Sequence, residues 1–353
     1  MPLRSVRILS SLLLLLLWPG FGRPDTIVRA ESGSGSTSSE PIPEAEKLSA
    51  AGEASLRDLL NAALLPDLHL PNFADYKKDA VAFYGDFGDS LPWLDQSKPT
   101  PEARAVIRAL QHSAYKGLRP EDYDGPLWDA RLAKFDGPAN MSESDLLKFD
   151  LALTICAMRY ISDLHMGRVN PQLFHFGLDI NHEQIPLSDF LSQKLVGAAD
   201  ADAVLATVEP PFPIYPRTQA ALEKYIELAR IDDGEPLPAS SRPVKPGDSY
   251  SGVKRLAKLL ALLGDLPSEN ALAYTEGNYQ GALVDAVKHF QLRHGLAPNG
   301  VLDAPTLDEL NTPLSRRVTQ LQLAMERMRW LPHQFSRPPV IVNIPEFRLY
   351  GLN

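Results

Sequence analysis

The 353-residue chain carries one cysteine, Cys156. A single thiol excludes an intrachain disulfide, so stability must come from packing even in an oxidising compartment. Positive charge is also short: 35 Lys and Arg stand against 44 Asp and Glu, giving a net charge of -9. That balance argues against a nucleic-acid partner, because neutralising phosphates needs an excess of cations. Metal signatures are missing as well. "HEQIP", His182 to Pro186, opens like a His-Glu-x-x-His zinc site, but Pro186 stands where the second ligand belongs. His289 and His294 are five apart and fall on different faces of a helix, and "GSGST" lacks the strand-to-helix setting of a nucleophile elbow. No metal and no cofactor is expected.

What is present begins with Arg4 and Arg7, an apolar run from Ile8 to Trp18, and the breakers Pro19, Gly20 and Gly22. This is the pattern of a secretory signal peptide, too short to span a bilayer comfortably. Cleavage fits after the Val28-Arg29-Ala30 triplet, an uncleaved anchor being the alternative. No Cys lies nearby to take a lipid. "ESGSGSTSSEPIPEAE", Glu31 to Glu46, is too poor in apolar side chains to offset the entropy of ordering and reads as a flexible tether.

From about Leu56 to Ile231 the pattern is helical. "EARAVIRALQHSAYKGL" puts Ala103, Val106, Ile107 and Leu110 on one face, with Gly117 as C-cap. "SDLLKFDLALTICAMRYISDLHMG" does the same over a longer run, with Ser144 as N-cap and Gly167 as the stop. Four prolines between Asp232 and Ser249 predict a linker without a packed element. Beyond it lie two short amphipathic helices, one with Val253, Leu256, Leu260 and Leu263, the next with Leu283, Ala286 or Val287, and Phe290. A "PNG" turn and a third helix at Thr306 to Leu310 follow, Thr306 placed to cap it. Thr312 and Pro313 then start a helix with an apolar seam of Val318, Leu321, Met325 and Met328. Its other side sets Arg316, Arg317, Arg327 and Arg329 against Glu326, either a solvated face or a surface for acidic partners.

Three stretches resemble the large, multidomain L,D-transpeptidases that cross-link bacterial peptidoglycan. "AYKGLRPEDYD" with "RYISDLHMGRVNP" resembles that family's helical scaffold region. "AVKHFQLRHGLAPNGVLDAPTLDELN" is similar to its peptidoglycan-binding module, with Asn299-Gly300 in place of Asp-Gly and Leu302-Asp303 in place of Ile-Gly. "RRVTQLQLAMERMRWLP" and "VIVNIPEFRLY" resemble the linking helix and the opening of the catalytic domain. The resemblance implies a mainly α protein: signal peptide 1–30, linker 31–50, helical scaffold domain 51–231, Pro-rich linker 232–249, three-helix module 250–312, linking helix 313–335, and an incomplete β hairpin at 337–353. It implies peptidoglycan, glycan strand or stem peptide, as partner, in the periplasm or cell envelope, with no stable membrane span after signal cleavage.

In that family the nucleophile is the Cys of a Ser-His-Gly-Cys-x-Arg motif, which attacks a peptide carbonyl. "LTICAMRY" around Cys156 is no match, and an apolar helical setting predicts a core thiol with a raised pKa. The given chain is therefore expected to bind wall without cross-linking it, any nucleophile lying beyond Asn353. Polar neighbours of the module's turn, Arg293, Asn299 and Asp303, are the candidate wall contacts. Two alternatives stand beside this reading. One is a glycan-cleaving enzyme of the lytic transglycosylase kind, with Glu102 or Glu121 as its acid. The other is a non-catalytic adaptor docking through the basic helix. Glu121, Asp122 and Asp124 after Pro120 also fit a helix-start loop, where acids are favoured. The terminal strands are expected to have unpaired edges and poor order.

Overall fold

The computed structural model describes residues 45–137, 141–171, 184–275 and 277–334, and the backbone of 340–343 and 348–351. The expected signal peptide, most of the tether, His182 and the Pro345-Glu346 turn lie outside the described residues. The protein is mainly α, as expected, and it divides into two compact units.

The first unit runs to Tyr215 and includes Met325–Gln334. It contains α1 (Ala50–Ala62), α2 (Lys77–Asp86), β1 (Leu94–Asp95), β2 (Lys98–Pro99), α3 (Pro101–Gln111), α4 (Trp128–Ala133), α5 (Glu143–Met166), α6 (Leu187–Phe190) and α7 (Ala201–Ala206). β1 and β2 pair antiparallel, Leu94 opposite Pro99. Its axis is α5. From Phe149 to Ile161 every residue of this helix is buried, polar Asp150, Thr154 and Arg159 included. A helix buried all round needs neighbours on several sides, and α1 and α3 pack against it. Ala103, Val106, Ile107 and Leu110 of α3 are buried, as their spacing predicts.

The buried polar residues of α5 are each hydrogen-bonded, though Arg159 leaves its Nη1 without a partner among the described residues. Asp150 accepts from Tyr84 Oη at 2.7 Å and from the Trp93 backbone N–H at 2.9 Å, while Thr154 accepts from Trp93 Nε1 at 2.9 Å. Arg159 donates to the carbonyls of Leu70 and Asn72, both at 2.8 Å. These bonds fix the loops flanking α2 onto the central helix.

Several expected boundaries move. Ser142, not Ser144, caps α5, because its Oγ accepts from Asp145 N–H while donating to the Asp145 carboxylate. The α3 helix stops at Gln111, and Gly117 (φ 73°) instead closes a 3-10 turn over Ser113–Lys116. The expected tether is ordered before residue 50: Glu46 exchanges backbone hydrogen bonds with Leu91, and its carboxylate accepts from Ser97.

The second unit covers Pro216–Ala324 and the hairpin. Its elements are α8 (Ile214–Ile231, begun in the first unit), α9 (Val253–Leu263), α10 (Ser268–Ala271), α11 (Ala282–Arg293), α12 (Ala304–Leu310) and α13 (Leu314–Arg329, ending in the first unit). Val253, Leu256, Leu260 and Leu263 of α9 and Leu283, Ala286, Val287 and Phe290 of α11 are buried, so both predicted stripes form the core.

The predicted linker is packed, which corrects the expectation. It has no helix, but Leu237 and Val244 are buried, Leu237 N–H donates to Asn311 Oδ1 at 2.7 Å, and Val244 bridges Leu302. Prolines forbid a helix there, yet not an extended strap with two apolar anchors. The third helix begins at Ala304 with Asp303 as its cap, which replaces Thr306 in that role. At α13 the Pro313 carbonyl accepts the first helical bonds, while the Thr312 hydroxyl donates back to Asp308 O. β3 (Val340–Asn343) and β4 (Arg348–Gly351) form the expected antiparallel hairpin, Ile341 opposite Tyr350, with no third strand among the described residues.

Candidate functional site

The turn between α11 and α12 is built around Gln291, a residue only 1% exposed. Its Oε1 accepts from Gly300 N–H at 2.8 Å, and its Nε2 donates to Val301 O at 2.9 Å, Thr306 Oγ1 at 3.1 Å and Asn299 Oδ1 at 3.2 Å. Tyr279 Oη donates to Gly300 O at 2.8 Å. Gly300 itself has φ 70°, and a Cβ there would sit 2.8 Å from Val284 Cγ1, so backbone conformation and space both demand glycine.

Asn299 and Asp303 belong to this network. Asn299 Oδ1 also accepts from Val301 N–H at 2.8 Å, and Asp303 Oδ1 accepts from Thr306 N–H at 3.0 Å. Asn299 remains exposed, which leaves its amide at the surface of a rigid turn. Arg293 is elsewhere: two positions after Gln291, it leaves α11 on roughly the opposite side. There it donates from Nε to Asp265 Oδ1 at 2.9 Å and makes a second contact through Nη2. Burial alone would lower the Arg293 pKa, but its bond to and charge pairing with Asp265 outweigh that and raise it. The three candidates thus form a turn pair and a separate arginine.

No sequence pattern marks what shares Asp265. This carboxylate has no exposed side-chain area and also meets His289 Nδ1 at 2.5 Å, while His289 stays 43% exposed. His294 has a different partner, Glu309, at 2.7 Å from Nδ1, and stacks on Phe290 with ring centroids 4.0 Å apart. Burial pushes the His294 pKa down despite the carboxylate. The two histidines therefore sit in separate clusters, in keeping with their spacing.

The basic stripe of α13 is not a solvated face throughout. Arg317 is buried and donates to Glu309 Oε1 at 2.7 Å and Glu309 O at 3.0 Å. Arg329, with no exposed side-chain area, reaches Tyr215 Oη at 2.7 Å and also contacts the Lys116 carbonyl. Arg316 and Arg327 are the exposed pair. Glu326, the lone acid, accepts from Val169 N–H at 2.9 Å and Trp330 Nε1 at 3.1 Å. A Cβ on Gly167 would lie 2.7 Å from that same carboxylate oxygen, so this glycine (φ 82°) clears the end of α5 for it.

Of the acids considered for catalysis, Glu102, Asp122 and Asp124 have structural occupations. Glu102 is 5% exposed and accepts from Gly197 N–H at 3.0 Å. Asp122 pairs with Arg168, and Asp124 pairs with Arg131 at 2.5 Å while accepting from His69 N–H at 2.9 Å. Glu121 is exposed in a 3-10 turn over Pro120–Tyr123. Cys156 is wholly buried, and burial drives its thiol pKa far up, as its apolar surroundings predict. Among the described residues no cluster of His, Cys, Asp or Glu could hold a metal ion, and no helix is long and apolar enough to cross a membrane.

Comparison with known families places two matches on this chain. Residues 78–222 match the family described as a scaffold domain. Residues 249–310, which contain the Gln291 turn, match the putative peptidoglycan binding domain family. No curated protein matches the chain. A scaffold domain and a peptidoglycan-binding domain in one chain are consistent with a cell-wall protein.

Proposed function

We propose that this is an exported peptidoglycan-binding protein of the L,D-transpeptidase kind, in which the module of α9, α11 and α12 contacts the wall and the first unit acts as scaffold. One observation carries the reading: the segment matching peptidoglycan-binding domains holds an internally bonded turn that leaves Asn299 exposed. A turn already fixed by Gln291 loses little conformational entropy when it meets a ligand, which favours affinity. Asn299 then offers its amide to the glycan or stem peptide and Asp303 supports the turn from the helix start, while Arg293, on the other side of α11 and paired with Asp265, supplies a separate contact. Export rests on the N-terminal pattern of Arg4, Arg7 and the apolar run that follows. Thiol chemistry does not fall to Cys156, since a buried thiol held in its neutral form is neither nucleophile nor accessible to a peptide.

The test is co-sedimentation of the purified chain with insoluble peptidoglycan. The wild type pellets with the wall, and Asn299→Ala or Arg293→Ala each weakens retention by about tenfold, the loss of one polar contact of ~1.4 kcal/mol. Retention unchanged in both variants would move the contact surface away from these residues.

A further inference from the structure

A cavity of about 600 Å³ opens in the first unit between the start of α2, the end of α5 and the start of α6. That volume is in the range of sites for small ligands. Asp75, Lys78 and Asp79 line it, and no side-chain hydrogen bond or ion pair joins any of the three to a described residue. By contrast, Lys116, Asp122 and Asp124 of the same unit are paired, with Glu209, Arg168 and Arg131.

Its remaining walls sharpen the chemistry. Ser162 and Tyr76 hydrogen-bond to each other, and Tyr76, pushed up to about 12 chiefly by burial, keeps its hydroxyl proton. His165 and Met166 belong to the last turn of α5, where the negative end of the helix dipole favours a cation, and His165 Nδ1 lies 3.1 Å from the Val208 carbonyl. Ile185 and Leu187 supply a short aliphatic side. Two carboxylates, a helix C-terminus and one ammonium suit a ligand with a primary amine and a carboxylate on a small body. An N-acetylated glycan has no ammonium to offer the two aspartates.

We propose that this cavity binds the amine-bearing stem peptide of peptidoglycan, Asp75 and Asp79 taking its ammonium and Lys78 a carboxylate. The choice of a wall peptide rests on the wall-binding function proposed above, whereas the demand for a free amine rests on the cavity alone. Glycan recognition by the module and peptide recognition by the scaffold would then be separate contacts with one polymer.

The experiment titrates the full chain with N-acetyl-alanyl-γ-glutamyl-lysine, whose one amine is the lysyl Nε, with its Nε-acetylated form and with its C-terminal amide, alongside wall co-sedimentation. The free-amine peptide should bind, with acetylation or Asp79→Asn weakening it at least about tenfold, the scale of one charge-assisted contact. Lys78→Ala, a change at an exposed position, should abolish the preference for the free over the amidated carboxylate, which keeps the test valid if the Asp79 variant fails to fold. No peptide binding, or equal binding of both forms, with wall retention intact overturns the cavity assignment alone. Peptide binding without wall retention overturns the wall-binding function instead. A peptide that binds equally well to Asp79→Asn and Lys78→Ala also counts against the cavity.

Discussion

Asp150 offers a quantitative check on the packing of the scaffold. Its carboxylate lies at the centre of α5 with no exposed area, and burial, the largest influence, raises its pKa from 3.8 to about 7 against the opposing bonds from Tyr84 and Trp93. A carboxylate raised in the folded state favours folding most when protonated. Its contribution is fully present below the unfolded value near 3.8 and is lost as pH climbs through about 7. A shift of this size corresponds to roughly 4 kcal/mol across the window. Asp163, raised to about 6 chiefly by burial, adds a slope of the same sign between pH 4 and 6.

Asp150→Asn isolates the first contribution. The amide can keep the network: its oxygen accepts from Trp93 N–H, its nitrogen donates to Tyr84 Oη, and Tyr84 turns its own proton to Thr154, 3.0 Å away. The variant should therefore fold, and its stability relative to wild type should rise by a few kcal/mol between pH 4 and 7, then level off. Urea unfolding followed by tryptophan fluorescence at a series of pH values reads this directly, since Trp93 and Trp128 are both fully buried. Parallel pH profiles for the two proteins would refute the argument, because they would mean that Asp150 does not change its charge on folding.

Other consequences are simpler to test. Gly300→Ala should destabilise the second unit by roughly 1–3 kcal/mol, from the strained φ and the close approach to Val284, and calorimetry would show it as a lowered transition temperature. Full stability of that variant would mean that the turn can rearrange. Cys156 should stay unlabelled by a thiol reagent in buffer and react stoichiometrically in urea. Rapid labelling of the native protein would contradict its burial. Glu326→Gln should lose about 1–3 kcal/mol, because the acceptor shared by Val169 and Trp330 then carries no charge. An unchanged urea midpoint would show that these bonds add nothing net.

The sequence disclosed the apolar skeleton best. The stripes on α3, α9 and α11 follow the helical period and are buried as that period demands. Cap positions were less legible: the sequence pattern points to Ser144, whereas the reciprocal bonds with Asp145 make Ser142 the cap. Asp303 displaces Thr306 because its carboxylate accepts from Thr306 N–H, while the Thr306 hydroxyl is taken up by Gln291. Long-range polar contacts were invisible. Arg329 meets Tyr215 and Lys116 across more than a hundred residues, so a stripe that reads as basic surface is half interior. Composition likewise misjudged Asp232 to Ser249, because Leu237 and Val244 are too few to form a pattern yet sufficient to anchor a strap. At the candidate site, the Asn299-Gly300 turn is visible in the sequence, but the bonding role of Gln291 and the carboxylate shared by His289 and Arg293 appear only when distant segments are brought together.

The most direct measurement of the wall-binding function is the fraction of full-length chain pelleted by insoluble peptidoglycan, compared with cellulose as an unrelated insoluble glycan. The account predicts saturable retention on peptidoglycan alone, displaced by soluble wall fragments. Equal retention on both polymers, or on neither, would contradict it.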